Sequence, residues 1–467
     1  MIDLLIKNGK VVFPDSTINT SIAVDNGTIM GVGSPATMPE AERVIDANEK
    51  FVFPGLIDPH VHFCTPFMGV VSVDTWETGT MAAASGGVTT VIDFAIQKKG
   101  SLPMDAIKDR REEADGNVVI DYSVHSCITD PTPETIGQLK EVIEYGIPSF
   151  KVFMVYRKEG WIVDDGALLA IFEEVKPYKG LVGLHAENVA ILEYLVDKAL
   201  REGNTSPIYH ALTRPPISES EAINRAMYLA NSIEAPFYCF HMSLKEGVEM
   251  FRQARSEGHP VYAETCTHYL TITKDMLKRP EDGRNFICSP PLRDQEDIEA
   301  LWKALADGIV STVATDQAAF TAEHKKLGQD SFHKVPNGLP GIEFRLPLLF
   351  SEGVSKGRIS VNTLAAVTST NVAKIFGVYP KKGAINIGSD ADLVILDPKL
   401  EKTISVADSI YGIDWYPYEG MKVKGNPVIT ISKGKVVYED NEFTGKAGDG
   451  EFLKRNISSE MLSKPSA

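Results

Sequence analysis

Six side chains in this sequence have the types and spacing of a metal-assisted hydrolytic centre. His60 and His62 stand in Asp-Pro-His-Val-His, Lys151 in Ser-Phe-Lys-Val-Phe-Met and His185 in Gly-Leu-His-Ala-Glu-Asn. His241 follows in Cys-Phe-His-Met-Ser and Asp316 in Val-Ala-Thr-Asp-Gln. Neutral imidazole and carboxylate are the ligands that zinc and similar divalent ions prefer. In an extended strand, residues two apart share a face, so His60 and His62 reach one ion. Each residue also has an ordinary reading: His185 or His241 alone is a satisfied core histidine, and Asp316 alone is a strand-end cap. Lys151 is the odd member, because an ammonium between Phe150 and Val152 is costly to bury and repels cations. Either it snorkels to water, or it loses its proton and takes up carbon dioxide. The carbamate so formed is a carboxylate-like ligand able to bridge two metals. In this company Asp316 reads as a ligand and a general base.

Each of the six sits at or just past the end of a short apolar run, and such positions define the mouth of a (β/α)8 barrel. Between 53 and 379, strand-like runs alternate with helical patterns. The strand candidates are 52–62, 88–94, 118–125, 149–154, 182–187, 236–243, 261–269 and 310–316. Eight is the number that a closed barrel of this kind needs, and the six residues then fall on the first, fourth, fifth, sixth and eighth strands. Residues 1–52 and 380–440 have a different texture, with short β-branched runs broken by turns such as Lys-Asn-Gly at 7–9 and Asp-Asn-Gly at 25–27, both hairpin signals. The fold expected is therefore α/β, a TIM barrel with a small β-sandwich domain formed by the N- and C-terminal segments. Residues 441–467 are expected to form an arm or tail, which from about 455 is polar and either an arm or disordered.

Bulk properties narrow the function. A net charge of −16 over 467 residues argues against a sequence-independent grip on nucleic acid, which needs a basic surface. No apolar run reaches the length of about 18 residues that a membrane span requires, and the first residues lack the pattern of a signal peptide. Cys64, Cys127, Cys239, Cys266 and Cys288 are odd in number and mostly embedded in apolar runs, as reduced cysteines of a cytoplasmic protein would be.

Longer motifs accompany the six residues. In order they are Phe-Pro-Gly-Leu-Ile-Asp-Pro-His-Val-His, Ser-Gly-Gly-Val-Thr-Thr-Val-Ile-Asp-Phe, Ser-Phe-Lys-Val-Phe-Met-Val-Tyr and His-Ala-Glu-Asn. Cys-Ser-Pro-Pro-Leu-Arg, Pro-Asn-Gly-Leu-Pro-Gly-Ile-Glu and Gly-Ser-Asp-Ala-Asp-Leu-Val-Ile-Leu-Asp follow. As a set, spanning about residues 3 to 440, they resemble the cyclic amidohydrolases, in the dihydropyrimidinase and D-hydantoinase branch of the amidohydrolase superfamily.

The resemblance implies two divalent ions, zinc by default with manganese or cobalt as alternatives. His60, His62 and Asp316 would hold one, and His185 and His241 the other, with Lys151 bridging as N6-carboxylysine. Tyr156 would bind substrate and steady the oxyanion. Ser289 and Asn337 would hold the imide or ureide edge of the ring through backbone groups, although each also reads as a plain loop residue. The implied reaction opens the cyclic amide of a dihydropyrimidine or hydantoin to an N-carbamoyl amino acid. A metal-bridging hydroxide is its nucleophile and Asp316 its general base and acid. A small-molecule cyclic ureide or amide is the implied partner, with no nucleic acid and no membrane, and a cytoplasmic homotetramer is the implied assembly.

The sequence departs from the family pattern at Gln317-Ala318-Ala319, where many relatives carry His or Asn and then Cys-Pro. Metal binding is expected to survive this, while the shape of that side of the pocket stays open. Thr65, Phe67 and Trp161 are candidates for setting substituent size and handedness, or else loop packing. Allantoinase, dihydroorotase and a non-catalytic scaffold are the competing readings. Phe63 stands where dihydroorotase would need a cationic neighbour of His62, and a scaffold would not need all six metal-site residues. The choice of ring, the enantioselectivity and dimer against tetramer are not legible.

Overall fold

Runs of β-branched and aromatic residues that read as near-continuous apolar segments suit strands covered on both faces. The computed structural model, which describes residues 1–463, contains eight of them in parallel. They are Leu56–Asp58 (β1), Val88–Ile96 (β2), Asp121–Cys127 (β3), Ser149–Phe153 (β4), Leu181–His185 (β5), Phe237–Cys239 (β6), Val261–Cys266 (β7) and Thr312–Ala314 (β8). Each pairs with its neighbour in sequence, so their order around the sheet is that of the chain. The ring closes just beyond the ends of β1 and β8, where Val61 and Gln317 form a parallel bridge. There His62 N donates to Gln317 O at 2.8 Å and Gln317 N to His60 O at 3.3 Å. Below that bridge, the buried guanidinium of Arg345 spans the seam by donating to Ile57 O (3.0 Å) and Val313 O (2.9 Å).

The helices between strands follow from local chemistry. In Pro133–Tyr145, the N-cap Thr132 accepts from Thr135 N, proline occupies the first turn, and Gly146 stops the helix at φ 111°. Its buried residues Thr135, Leu139 and Val142 recur at helical spacing, which turns one stripe to the barrel.

Both ends of the chain build the second domain, one mixed sheet of nine strands. Phe51–Pro54 is the join: it runs parallel to Ile2–Val12 on one side and antiparallel to Leu393–Thr403 on the other. Leu4, Ile6, Ile22, Val24, Val52, Leu393, Ile395 and Ile431 form its core.

Several local expectations need correction. The first strand candidate is two strands, Phe51–Pro54 in the terminal sheet and β1 in the barrel. His60 and His62 therefore lie in the chain after β1, not in a regular strand. Val118–Ile120 precede β3, and β7 gives way after Cys266 to a 3-10 turn, Thr267–Leu270. Asn26-Gly27 does make a tight hairpin with φ 49° and 74°, but Lys7-Asn8-Gly9 does not. It is a bulge inside the strand Ile2–Val12, with Asn8 at φ 60° and the register shifted between Ile6 and Gly9. A Cβ on Gly9 would meet Val52 Cγ2 at 2.6 Å, so close packing between strands explains that glycine.

As far as it is described, the tail packs along the barrel. Leu453 N donates to Tyr122 O, Arg455 N to Gly146 O and Asn456 N to Gly377 O. Leu453, Arg455 and Ile457 are buried. Met461 and Leu462, in a short helix Ser459–Ser463, pack on the apolar cluster that includes Tyr262 and Phe376. Scattered apolar residues in a polar segment are enough to dock it when each meets a preformed surface. Residues 464–467, part of the same expectation, lie outside the described residues. Among the described residues, no helix is long and apolar enough to cross a membrane.

Candidate metal centre

The structure brings the six residues from five strand ends into one cluster. His60 Nε2 lies 2.9 Å from Asp316 Oδ1 and 2.9 Å from Lys151 Nζ. His62 Nε2 lies 3.2 Å from the same Asp316 oxygen. The His241 ring stands 5.3 Å from that of His60 and 4.4 Å from that of His185, centroid to centroid. Three residues at the pocket adopt left-handed backbone without being glycine: His241 (φ 42°), Asp316 (φ 51°) and Tyr156 (φ 64°). Such conformers cost on the order of 1–3 kcal/mol each and persist only where the surroundings fix them.

Buried carboxylates set the direction of the imidazoles. Glu264 Oε1, on β7, lies 2.6 Å from His60 Nδ1 and also accepts from His241 N at 3.1 Å. Tyr238 OH donates to its other oxygen at 2.8 Å. With Nδ1 directed at Glu264, His60 presents Nε2 to the cluster. Glu187 Oε2 lies 2.7 Å from His185 Nε2 and is itself held by Arg214 at 2.7 Å, which leaves His185 Nδ1 for the site. Asp58 accepts from His60 N and from Thr315, tying together the chain segments that carry His60 and Asp316. Sequence reasoning missed Glu264, Glu187 and Asp58. The available signal was an acidic residue inside an apolar run, and in two cases two positions from a histidine.

Electrostatics follow from burial. Burial lowers the Lys151 amine against the raising pull of Asp316. The rings of Phe94 and Phe240 stand 4.1 and 4.8 Å from Nζ. Burial also carries His62 down to about 3 despite its bond to Asp316. For Asp316 burial acts upward, but the charge of His60 and hydrogen bonds from His60 and His62 outweigh it and hold the carboxyl well below its usual range.

Divalent cations fit this donor set. Ligand atoms of His60, His62 and Asp316 all lie within 4.8 Å of one another. His62 Nδ1 and His241 Nδ1 are buried without a partner. His60 Nε2 faces both an acceptor and a donor at 2.9 Å, which one imidazole nitrogen cannot satisfy together. A cation among these groups resolves the conflict.

Tyr156, Ser289 and Asn337 line the same pocket as His62, Lys151, His185, His241 and Asp316. Burial raises the Tyr156 phenol far above its ordinary value, so it stays a hydrogen-bond donor. Thr65, Phe67 and Trp161 also line the pocket, and the rings of Phe67 and Trp161 stack at 5.5 Å. Asn337 Nδ2 donates to Ser289 Oγ at 2.8 Å, joining two loops into a polar edge.

The side chain of Gln317, the departure from the family pattern, bonds none of the six clustered residues. Its Nε2 donates to Asp74 Oδ2 at 2.9 Å, and its Oε1 accepts from Gly341 N and Ile342 N. It therefore clamps the barrel seam, while Ala318 takes its place in the pocket wall.

Residues 51–437 match the model of the amidohydrolase family. The chain is 44% identical over 454 residues to a D-hydantoinase of Geobacillus stearothermophilus, covering 97% of this chain and 96% of that one. It is 38% identical over 469 residues to a dihydropyrimidinase of Rattus norvegicus, covering 99% and 90%. Among solved structures, a dihydropyrimidinase from Brevibacillus agri superposes with a TM-score of 0.95 at 42% identity, covering 99% of both chains. An L-hydantoinase from Arthrobacter aurescens superposes with 0.90 at 32% identity, covering 97% of this chain and all of that one.

Proposed function

The chain belongs to the amidohydrolase family, in its hydantoinase and dihydropyrimidinase branch, and we propose from this that it opens the cyclic amide bond of dihydropyrimidines or hydantoins to N-carbamoyl amino acids. The observation that carries the proposal is the convergence of His60, His62, Lys151, His185, His241 and Asp316 beside Tyr156 in one pocket. His60, His62 and Asp316 would hold one divalent ion and His185 and His241 a second, with zinc the ion proposed. Lys151 would bridge them as a carbamate: its unprotonated nitrogen bonds to the carbon of carbon dioxide, a C=O electron pair moves onto oxygen, and the nitrogen releases a proton to solvent. Burial of the amine among Phe94, Phe153 and Phe240 favours the unprotonated form that this requires.

Two such ions, when bound, would lower the pKa of a bound water to about 7 and polarise a carbonyl. Asp316, ionised, takes the proton from the attacking water and returns it to the departing ring nitrogen. Tyr156 donates to the carbonyl oxygen as charge builds there. Backbone groups of Ser289 and Asn337 hold the ring edge, and the apolar wall of Phe67, Phe153 and Trp161 excludes water. Among the described residues no arginine lines the pocket, which disfavours a substrate carrying a ring carboxylate such as dihydroorotate. The five cysteines are free, in accord with the reducing cytoplasm. A homotetramer is the assembly proposed, and Tyr194, Ile217 and Tyr228 on neighbouring helices are exposed apolar residues that subunit contacts would cover.

The test is ring opening of 5,6-dihydrouracil and hydantoin by protein loaded with zinc and bicarbonate, beside a chelated control. N-carbamoyl product that disappears on chelation is expected, and Tyr156→Phe should lower kcat by roughly 10²–10³-fold, as loss of one oxyanion donor does. No product from protein that holds two zinc ions would overturn the substrate class.

A further inference from the structure

Two buried donors outside the metal cluster bond only main-chain carbonyls or a neighbouring hydroxyl beside the pocket's polar edge. Lys325, at the end of the short helix Ala322–Lys325, has no exposed surface. Its Nζ donates to Ile287 O (2.9 Å), Pro336 O (2.7 Å) and Gly338 O (2.8 Å). Three N–H donors are all that an ammonium has, so its capacity is filled by two loop segments. No carboxylate pairs with it among the described residues. His210, in the helix Ile208–Leu212, is also buried, and its Nε2 donates to Cys288 O at 2.8 Å. Its contact with Ser289 Oγ is longer, at 3.5 Å. A buried cation with no counter-ion is a poor way to stabilise a loop, since an apolar side chain of like volume avoids the desolvation.

The geometry of the peptide group gives these contacts a purpose. In a trans peptide the carbonyl and the N–H that follows it point in opposite directions. The Cys288–Ser289 and Pro336–Asn337 peptides are both trans. Capture of Pro336 O by Lys325 therefore turns the Asn337 N–H away from the lysine. Capture of Cys288 O by His210 does the same for the Ser289 N–H. Neither N–H has an acceptor among the described residues, and Ser289 and Asn337 both line the pocket. Gly338 completes the arrangement: at φ 152°, a Cβ there would meet Ala318 Cβ at 2.6 Å.

We propose that Lys325 and His210 are positioning residues for the substrate, each fixing one peptide so that the N–H of Asn337 and that of Ser289 meet the non-reacting carbonyl oxygen of the cyclic ureide. This rests on the ring-opening reading above. Hydrogen bonds to parts of the ring that do not react are made equally in ground and transition states, so their loss raises KM and leaves kcat largely alone.

The experiment measures 5,6-dihydrouracil with the full-length, zinc-loaded protein and with Lys325→Met, His210→Phe and His210→Gln. Lys325→Met and His210→Phe should each raise KM by about tenfold or more, with kcat within about threefold of the parent and zinc content unchanged. His210→Gln, whose side-chain amide still donates to Cys288 O, should return KM towards the parent value. Calorimetric binding of the same ring to chelated protein should weaken in parallel, which gives a readout free of turnover. If Lys325→Met does not fold, the two His210 variants decide the matter. Unchanged KM and Kd in folded variants, a loss confined to kcat and zinc content, or failure of His210→Gln to restore KM would overturn the proposal. A parent protein that neither binds nor opens the ring would sink the ring-opening reading together with this one. A parent that turns over while the variants stay unmoved sinks this one alone.

Discussion

Lys151→Ala should lower kcat/KM for ring opening by on the order of 10³-fold or more and halve the zinc held per chain, while the protein stays folded. The expected loss exceeds the roughly 10–100-fold typical of a residue that only supports a metal ligand, because alanine would remove the proposed bridge itself. The structure gives independent grounds for an unusual lysine here. Its Nζ is buried beneath three phenylalanine rings and contacts His60 Nε2, and burial works against its charge. A plain ammonium in that place would repel the cations that the neighbouring histidines and Asp316 are arranged to hold. The alanine variant leaves a space beside them, so acetate or propionate should restore part of the activity by supplying two oxygens. Bicarbonate should raise the activity of protein prepared without it and leave the variant unmoved. Full activity in Lys151→Ala, or rescue by amines in place of carboxylates, would remove the bridge from the mechanism.

Asp316→Asn should lower kcat by roughly 10²–10⁴-fold, the range in which a positioned proton-transfer group acts. The asparagine keeps the shape of the side chain and one oxygen near His60 and His62. It loses the charge that both imidazoles hold in the parent. The backbone at position 316 is in the left-handed region, where asparagine is as tolerant as aspartate. The melting temperature should therefore move by only a few degrees, equivalent to about 1 kcal/mol. A large drop in melting temperature with retained turnover would assign Asp316 a structural role and leave the proton transfer without an agent.

Comparison of sequence and structure separates what is local from what is not. The barrel was legible because its strands are apolar runs, five of which carry or lead into at least one of the six polar, chemically capable residues. The order of His60, Lys151, His185, His241 and Asp316 along the chain mirrors their order around the sheet. Glu264 was not legible, since its role depends on reaching His60 across 204 positions of sequence. Gln317 read as a departure, and only closure of the seam shows that its side chain serves Asp74 and Gly341. Ile-Lys-Asn-Gly-Lys-Val-Val and Ile-Ser-Lys-Gly-Lys-Val-Val look like one hairpin written twice. The first is a bulge and the second a true turn at Lys433-Gly434, because Ile2–Val12 continues past its glycine to pair with Phe51–Pro54. The tail read as polar, and the few apolar residues that dock it gave no periodic signal.

The central claim, a two-metal hydrolytic centre, is tested most directly by titrating metal-stripped protein with zinc in the presence of bicarbonate while following 5,6-dihydrouracil opening. The account predicts activity that climbs until two equivalents per chain are bound and then levels off. Full activity at one equivalent, or in protein that holds none, would contradict it.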